Sequence, residues 1–228
     1  TNPIYKFYFK TELEKAYKNA KCIACRSYVL KEKFLKLYPQ YKNKTFVAPS
    51  GIEEEKIIKK EWQEKEKIKV LTCGQFIKRK NIDKVIKACD KFENIELTVI
   101  GSGKQKLDKL SDKPQFLGQL SREKVLEKMR ESDIFILPSK NETFGIVYLE
   151  AMASGCITVC SKNDGIDGII QDGINGFLSE NVEETLARII DFEDKNLILE
   201  NSYITIKNYT DIIVANHYLK NTEAYHEN

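Results

Sequence analysis

Apolar residues in this chain come in short blocks separated by longer periodic stretches. Five blocks read as buried strands: Ile68–Cys73, Leu97–Ile100, Gln115–Leu117, Ile134–Leu137 and Ile157–Cys160. Each is a few residues rich in Val, Ile and Phe, and each is followed by Gly, Pro or Ser. Strands covered on both faces read this way. Between the blocks, apolar residues recur at helical spacing. Asn81–Phe92 carries Ile82, Val85, Ile86 and Cys89 on one face. Ser121–Ser132 carries Val125, Leu126 and Met129, with Ser121 as N-cap. A third helix, Ile146–Ser154, follows Gly145. Alternating strand and helix predicts right-handed βαβ units and an α/β, doubly wound parallel sheet.

The ends have a different pattern. Asn2–Ala20 is an amphipathic helix candidate with Tyr5, Tyr8, Phe9, Leu13, Ala16 and Tyr17. Cys22–Cys25 reads as a short strand, Tyr28–Leu37 as a helix and Thr45–Ala48 as a strand. Pro49-Ser50-Gly51 marks a turn or linker. Residues 53–69, dense in Glu and Lys, read as a solvated surface stretch. Helices are expected near 182–193, 195–207 and 210–223. All 11 glycines fall between Gly51 and Gly176. Glycine permits tight turns and close backbone approach, so a ligand is expected in the middle of the chain.

With 228 residues, there is room for one large domain or one and a half. A hydrophobic share of 42% and a charged share of 31% exclude collagen-like and mostly disordered classes. No apolar run approaches the ~18 residues that span a bilayer. The chain opens at Thr1 with no signal pattern, so its start reads as a cut inside a longer protein. Net charge is +3, from 37 basic and 34 acidic residues. Residues 181–228 hold 4 basic and 9 acidic residues; the remaining 33 and 25 give residues 1–180 an excess of eight positive charges. That excess suits an anionic small ligand or a peripheral membrane contact. A solvated surface is the competing reading. Nucleic acid would want a contiguous basic stripe with stacking aromatics, so it is not an expected partner.

Cys22 and Cys25 form a C-x-x-C, but no second pair or nearby histidine follows at zinc-ligand spacing. The other cysteines, Cys73, Cys89, Cys156 and Cys160, are expected to be reduced thiols, with the thiols in apolar runs packing as small hydrophobes. The two histidines, His217 and His226, lie far in sequence from the glycine-rich loops, and a His-based catalytic set there would need one of them. No Asp-x-Asp pair occurs, so no metal is expected.

In open α/β sheets, ligands bind beyond the carboxyl ends of the strands. The first strand ends in Gly74-Gln75-Phe76-Ile77-Lys78-Arg79-Lys80-Asn81, three cations before a helix. That combination makes an anion site; a solvated loop is the alternative. The second ends in Gly101-Ser102-Gly103, which is a ligand turn or a plain turn. The third ends in Phe116-Leu117-Gly118-Gln119, whose backbone could flank a flat base. The fourth runs Pro138-Ser139-Lys140-Asn141-Glu142-Thr143-Phe144-Gly145 into a helix bearing Glu150 in an apolar setting. Ribose hydroxyls or a lysine would satisfy that carboxylate.

The run Glu142 to Gly155, with seven residues between Glu142 and Glu150, resembles the E-x7-E signature of retaining glycosyltransferases of family 4, which have the GT-B fold. The likeness extends to Gly74 through Lys80-Asn81, Phe116-Leu117-Gly118, Asp172 through Leu178, and Val47 through Ile52, in one order over about residues 22–225. It implies a Rossmann-like donor-binding half with a remnant of the preceding domain. Residues 1–48 would be that remnant, 49–66 the interdomain linker, 67–206 the nucleotide-sugar domain, and 207–228 the C-terminal helix and tail.

The resemblance also implies roles. Glu150 would bind the donor ribose and Glu142 the hydroxyls of the transferred sugar. Lys80, helped by Arg79, would hold the diphosphate as it leaves. Backbone at Thr143, Phe144, Gly145, Ile146 and Val147 would meet sugar and phosphate. Gly74, Gln75, Gly103, Phe116, Leu117 and Gly118 would line the nucleotide site. Gln75 stands where the family commonly has Arg, one cation fewer for the phosphates. The implied donor is a nucleotide-diphosphate sugar, UDP favoured, with no cofactor. The acceptor, a glycan or lipid-linked molecule, would be held by the preceding domain. A cytoplasmic, peripherally membrane-associated enzyme follows, with little transfer by this part alone. A nucleotide-binding module that lacks transfer is the alternative.

Overall fold

The computed structural model describes residues 3–223, with side chains from Lys10 onward. Asn2, His226 and the side chains of Tyr5, Tyr8 and Phe9 therefore lie outside what is described. The chain begins with α1 (Pro3–Asn19), β1 (Ile23–Cys25), α2 (Tyr28–Leu37) and β2 (Thr45–Val47). β1 and β2 pair in parallel as a small sheet of their own. The larger unit continues through β3 (Ile68–Cys73), α3 (Ile82–Cys89), β4 (Ile95–Ile100), β5 (Gln115–Gly118), α4 (Arg122–Glu131), β6 (Ile134–Leu137), α5 (Ile146–Ala153), β7 (Ile157–Ser161) and β8 (Phe177–Ser179). It closes with α6 (Val182–Ile190), α7 (Lys195–Lys207) and α8 (Asp211–Glu223).

Its six strands are all parallel, in the order β5-β4-β3-β6-β7-β8. Numbered from β3 as the first, this is the 3-2-1-4-5-6 order of the Rossmann fold. The order reverses between β3 and β6, the switch point at whose carboxyl edge open α/β sheets place their ligands. Every residue of β6 is buried, as are Leu71, Val99 and Val159 in the neighbouring strands. Helices cover both faces: α3 packs on α6, and α5 on α4 and α7.

The alternation read from sequence is this sheet, with differences at the ends of elements and at its edge. β8 went unrecognised, because three residues after the Asp172–Gly176 turn show no periodicity of their own. The helix expected over 81–92 is the shorter α3, Ile82–Cys89, with Asn81 in a left-handed conformation (φ 52°) at its start and Asp90 as its C-cap. Residues 53–67 do run along the surface, with none of them buried, but they are tied to the domain. The Ile58 amide donates to Ala153 O at 2.8 Å, the Trp62 amide to Asn196 Oδ1 at 2.8 Å, and Lys65 to the buried Asp133 at 2.6 Å. Ser121 caps α4 as expected, accepting from the Lys124 amide at 3.4 Å.

All six cysteines are free thiols. Burial pushes Cys73, Cys89 and Cys156 up to about 12, so they stay protonated and pack as apolar groups. Among the described residues no cluster of three or more His, Cys, Asp or Glu could hold a metal ion. No described helix is long and apolar enough to cross a membrane.

Candidate active site at the switch point

The loops after β3 and β6 are tied to each other at the carboxyl edge of the sheet. Lys140 N donates to Arg79 O at 2.7 Å, and Asn81 Nδ2 to Pro138 O at 2.7 Å. This lacing brings together three residues that lie 62 or 63 positions apart in the chain. Glu142 Oε1 accepts from Lys80 Nζ, from Arg79 Nη1 at 2.9 Å and from Ser139 Oγ at 2.6 Å. Its backbone is pinned from the other side. Asp164, in the loop after β7, accepts from the amides of Asn141, Glu142 and Gly165.

Burial by itself raises the Glu142 pKa, but the bonds from Lys80 and Ser139 and the charges of Lys80 and Arg79 outweigh it and hold the carboxyl below its ordinary value of 4.5. An unfolded chain would take up this proton first as pH falls. The stabilisation is therefore complete above the ordinary value and lost as pH drops through the depressed one. Thermal melts from pH 7 down to about 3 should show a smaller decline for Glu142→Gln than for the native chain. Parallel curves would mean that the cluster does not contribute to stability.

Thr143 and Phe144 lead into α5. Thr143 is exposed, whereas Phe144 is 3% exposed with the Arg26 guanidinium 5.7 Å above its ring. Gly145 precedes the helix at φ +89°, and no side chain caps the helix start at Ile146 and Val147. The first amides of the helix are thus left for a ligand, and the dipole favours an anion. A Cβ on Gly145 would lie 2.5 Å from the ring of Tyr148, which is itself fixed by donating to Leu137 O at 2.8 Å.

Glu150 is 7% exposed on α5. Its partner is an arginine: Arg122 Nε donates to Glu150 Oε1 at 2.7 Å, and Arg122 Nη1 to Glu53 at 3.1 Å. The guanidinium bridges the α5 carboxylate to Glu53, in the stretch between β2 and β3. No motif announced Arg122. The one local hint was its place just after the Ser121 cap, and the pairing depends on α4 packing beside α5.

Beyond β3, β4 and β5 lies a separate cleft of about 520 Å³, lined by Gly74, Gln75, Gly103, Gln119 and Leu120 among others. Gly103 also bridges Phe76, whose backbone approaches too closely for a side chain. Phe116 and Leu117 are half-buried against the core, one toward each face of the sheet, and do not line the cleft. Gly118 lends its carbonyl to the Gly101 amide at 2.8 Å. Gln75 is exposed on the cleft wall.

Residues 53–209, more than two thirds of the chain, match the family described as glycosyl transferases group 1. The chain belongs to that family. As a group 1 glycosyl transferase it is 33% identical over 135 residues to the sulfoquinovosyl transferase SQD2 of Arabidopsis thaliana, which covers 55% of this chain and 26% of that protein. It is 30% identical over 208 residues to the uncharacterized glycosyltransferase MJ1069 of Methanocaldococcus jannaschii, covering 82% of this chain and 53% of the relative. The chain thus spans about half or less of these relatives. Among solved structures, the UDP complex of Anabaena HepE superposes with a TM-score of 0.77 at 16% identity, over 92% of this chain and 65% of that one. The GtfA/B complex matches with a TM-score of 0.77 at 15% identity, over 100% of this chain and 49% of that one. The fold of this chain is therefore that of the GT-B enzymes, and the six-stranded sheet is its Rossmann-like unit.

Proposed function

We propose that this chain is the donor-binding part of a family 4, retaining hexosyltransferase that uses a UDP-sugar. One observation carries the reading: Lys80 and Arg79 converge on Glu142 at the switch point, in a loop that leads into the uncapped start of α5. An incoming diphosphate would compete with Glu142 for both cations. Once they shift to the phosphates, Glu142 is free to accept from hydroxyls of the transferred sugar. Lys80, Arg79 and the amides of Ile146 and Val147 would then meet the charge that grows on the departing diphosphate. In this reading protein groups fill the role a metal plays elsewhere, and no cofactor is required. Glu150 would take the ribose on the carboxylate edge that Arg122 leaves open. The cleft at Gly74, Gln75 and Gly103 would hold the base.

UDP is favoured because HepE, of the same fold, was solved with UDP and also with UDP and glucose. The acceptor would be a glycan or lipid-linked molecule of polysaccharide biosynthesis, held by a preceding domain whose last elements are α1 to β2. We place the enzyme at the cytoplasmic side, in peripheral contact with membrane.

Thermal shift with UDP, GDP and ADP tests the donor. A ligand at 100 times its dissociation constant adds about 2.7 kcal/mol of stability, and UDP should give the largest shift. Glu150→Ala should weaken UDP binding about tenfold or more, since it removes hydrogen bonds to a charged group. If no nucleotide shifts the melt, the donor reading fails. Tight UDP binding without transfer by the full-length enzyme would select the binding-module alternative.

A further inference from the structure

A second cavity is larger than the cleft assigned to the base. It is a groove of about 820 Å³ between α3, α6 and the loops after β6 and β7, and it touches the donor loops at Asn81 and Asn141. Five lysines line it: Lys84, Lys87 and Lys91 from α3 and its end, Lys140 after β6, and Lys162 after β7. Its acidic groups are already committed. Glu183 holds Lys91 at 2.5 Å, Glu180 holds Lys162 at 3.1 Å, and Asp164 is spent on backbone amides. Lys84, Lys87 and Lys140 have no ion pair or side-chain hydrogen bond among the described residues. Five lysines against three carboxylates leave the lining with a net charge of +2, and the three unpaired lysines share one concave surface that focuses their field.

The lining also says what does not belong there. It contains no aromatic residue, so no base would find a stacking partner, and Ala88, Pro138 and Val182 are its only apolar residues. The volume exceeds what one phosphate fills.

We propose that this groove is a second anion site of the enzyme, for a ligand carrying several phosphates and no nucleobase. The phosphates could belong to a soluble polyphosphate or to lipid headgroups, and the chemistry of recognition is the same. Lys84, Lys87 and Lys140 would bind it as point charges, so affinity falls with added salt.

The site can be tested without relying on the donor reading. In a chain carrying Arg79→Ala and Lys80→Ala, the switch-point cations are gone and the groove is intact. Calorimetric titration of that chain with tripolyphosphate should show binding. Adding Lys84→Gln, Lys87→Gln and Lys140→Gln should weaken it about tenfold or more, as expected for three exposed charges of about half a kcal/mol each. Matching melting temperatures would show that both variants fold. Sedimentation with vesicles of phosphatidylglycerol in phosphatidylcholine, against phosphatidylcholine alone, identifies the source. Vesicle binding without tripolyphosphate binding, lost in the five-fold variant, assigns headgroups. Binding to neither probe, or binding that the three glutamines change by less than about twofold, overturns the proposal.

Discussion

Transfer by the full-length enzyme is expected to fall about 10²–10³-fold when Lys80 is replaced by alanine, with most of the loss in kcat. Lys80 and Arg79 both bind Glu142, but they are not equivalent. The Lys80 side chain is 14% exposed and that of Arg79 43%. A charge held in a dry wall acts through a low dielectric, whereas an exposed guanidinium is screened by water. The Lys80 stem also passes over Gly74, at 3.7 Å from where a Cβ would sit. Arg79→Ala should therefore cost only about tenfold. Neither change should unfold the protein, because Glu142 keeps Ser139 and one cation in each variant. Steady-state kinetics on both variants decide this. Equal losses, or a Lys80→Ala effect confined to KM, would show that Lys80 binds the ground state and does not favour departure of the diphosphate.

The second large effect concerns folding. Gly101→Ala should destabilise the chain by about 2–4 kcal/mol, read from urea denaturation. Gly101 has φ +136°, a conformation in which side chains are strained. A Cβ there would overlap the carbonyl oxygen of Gly74 and approach the Phe76 ring at 3.1 Å. Neither obstacle is the loose end of a flexible side chain. Gly74 N is bonded to Ile100 O at 3.0 Å, and Gly101 N to Gly118 O at 2.8 Å, so moving one loop disturbs three strand ends. The same displacement would shift Gly74 and Gln75 in the cleft, and UDP binding should weaken with stability. A loss below about 1 kcal/mol would mean that these loops yield freely.

The fate of Gly101-Ser102-Gly103 shows what a sequence can and cannot carry. Two glycines at a strand end were visible, along with the choice between a ligand turn and a plain turn. The reason for them, a second backbone lying against each one, belongs to the packing of β3 on β4. The same holds at Glu150. Its apolar surroundings announced that the carboxylate needed a partner, and the E-x7-E spacing set it apart. Arg122 could not be read, because it sits 28 residues away and reaches Glu150 only after α4 docks on α5. Blocks such as Ile134–Leu137 were legible because four consecutive buried residues leave few options besides a central strand. Phe177–Ser179 was not, because an edge strand of three residues is defined by the strand it joins. The Lys80–Glu142 cluster lies between these cases. Each loop was singled out at its own strand end, but their meeting follows from β3 and β6 being neighbours.

Residues 52 and 210 pair where the chain passes twice between the small β1–β2 layer and the large sheet. The Ile52 amide donates to Tyr209 O at 2.9 Å and the Asp211 amide to Ile52 O at 3.0 Å. Ile52 itself is 1% exposed. Two covalent crossings fastened side by side behave mechanically like a strap hinge. Flexing about the pair leaves both bonds intact, whereas torsion or sliding would break them. A swing of one layer on the other that keeps both hydrogen bonds would have to turn about this pair of crossings.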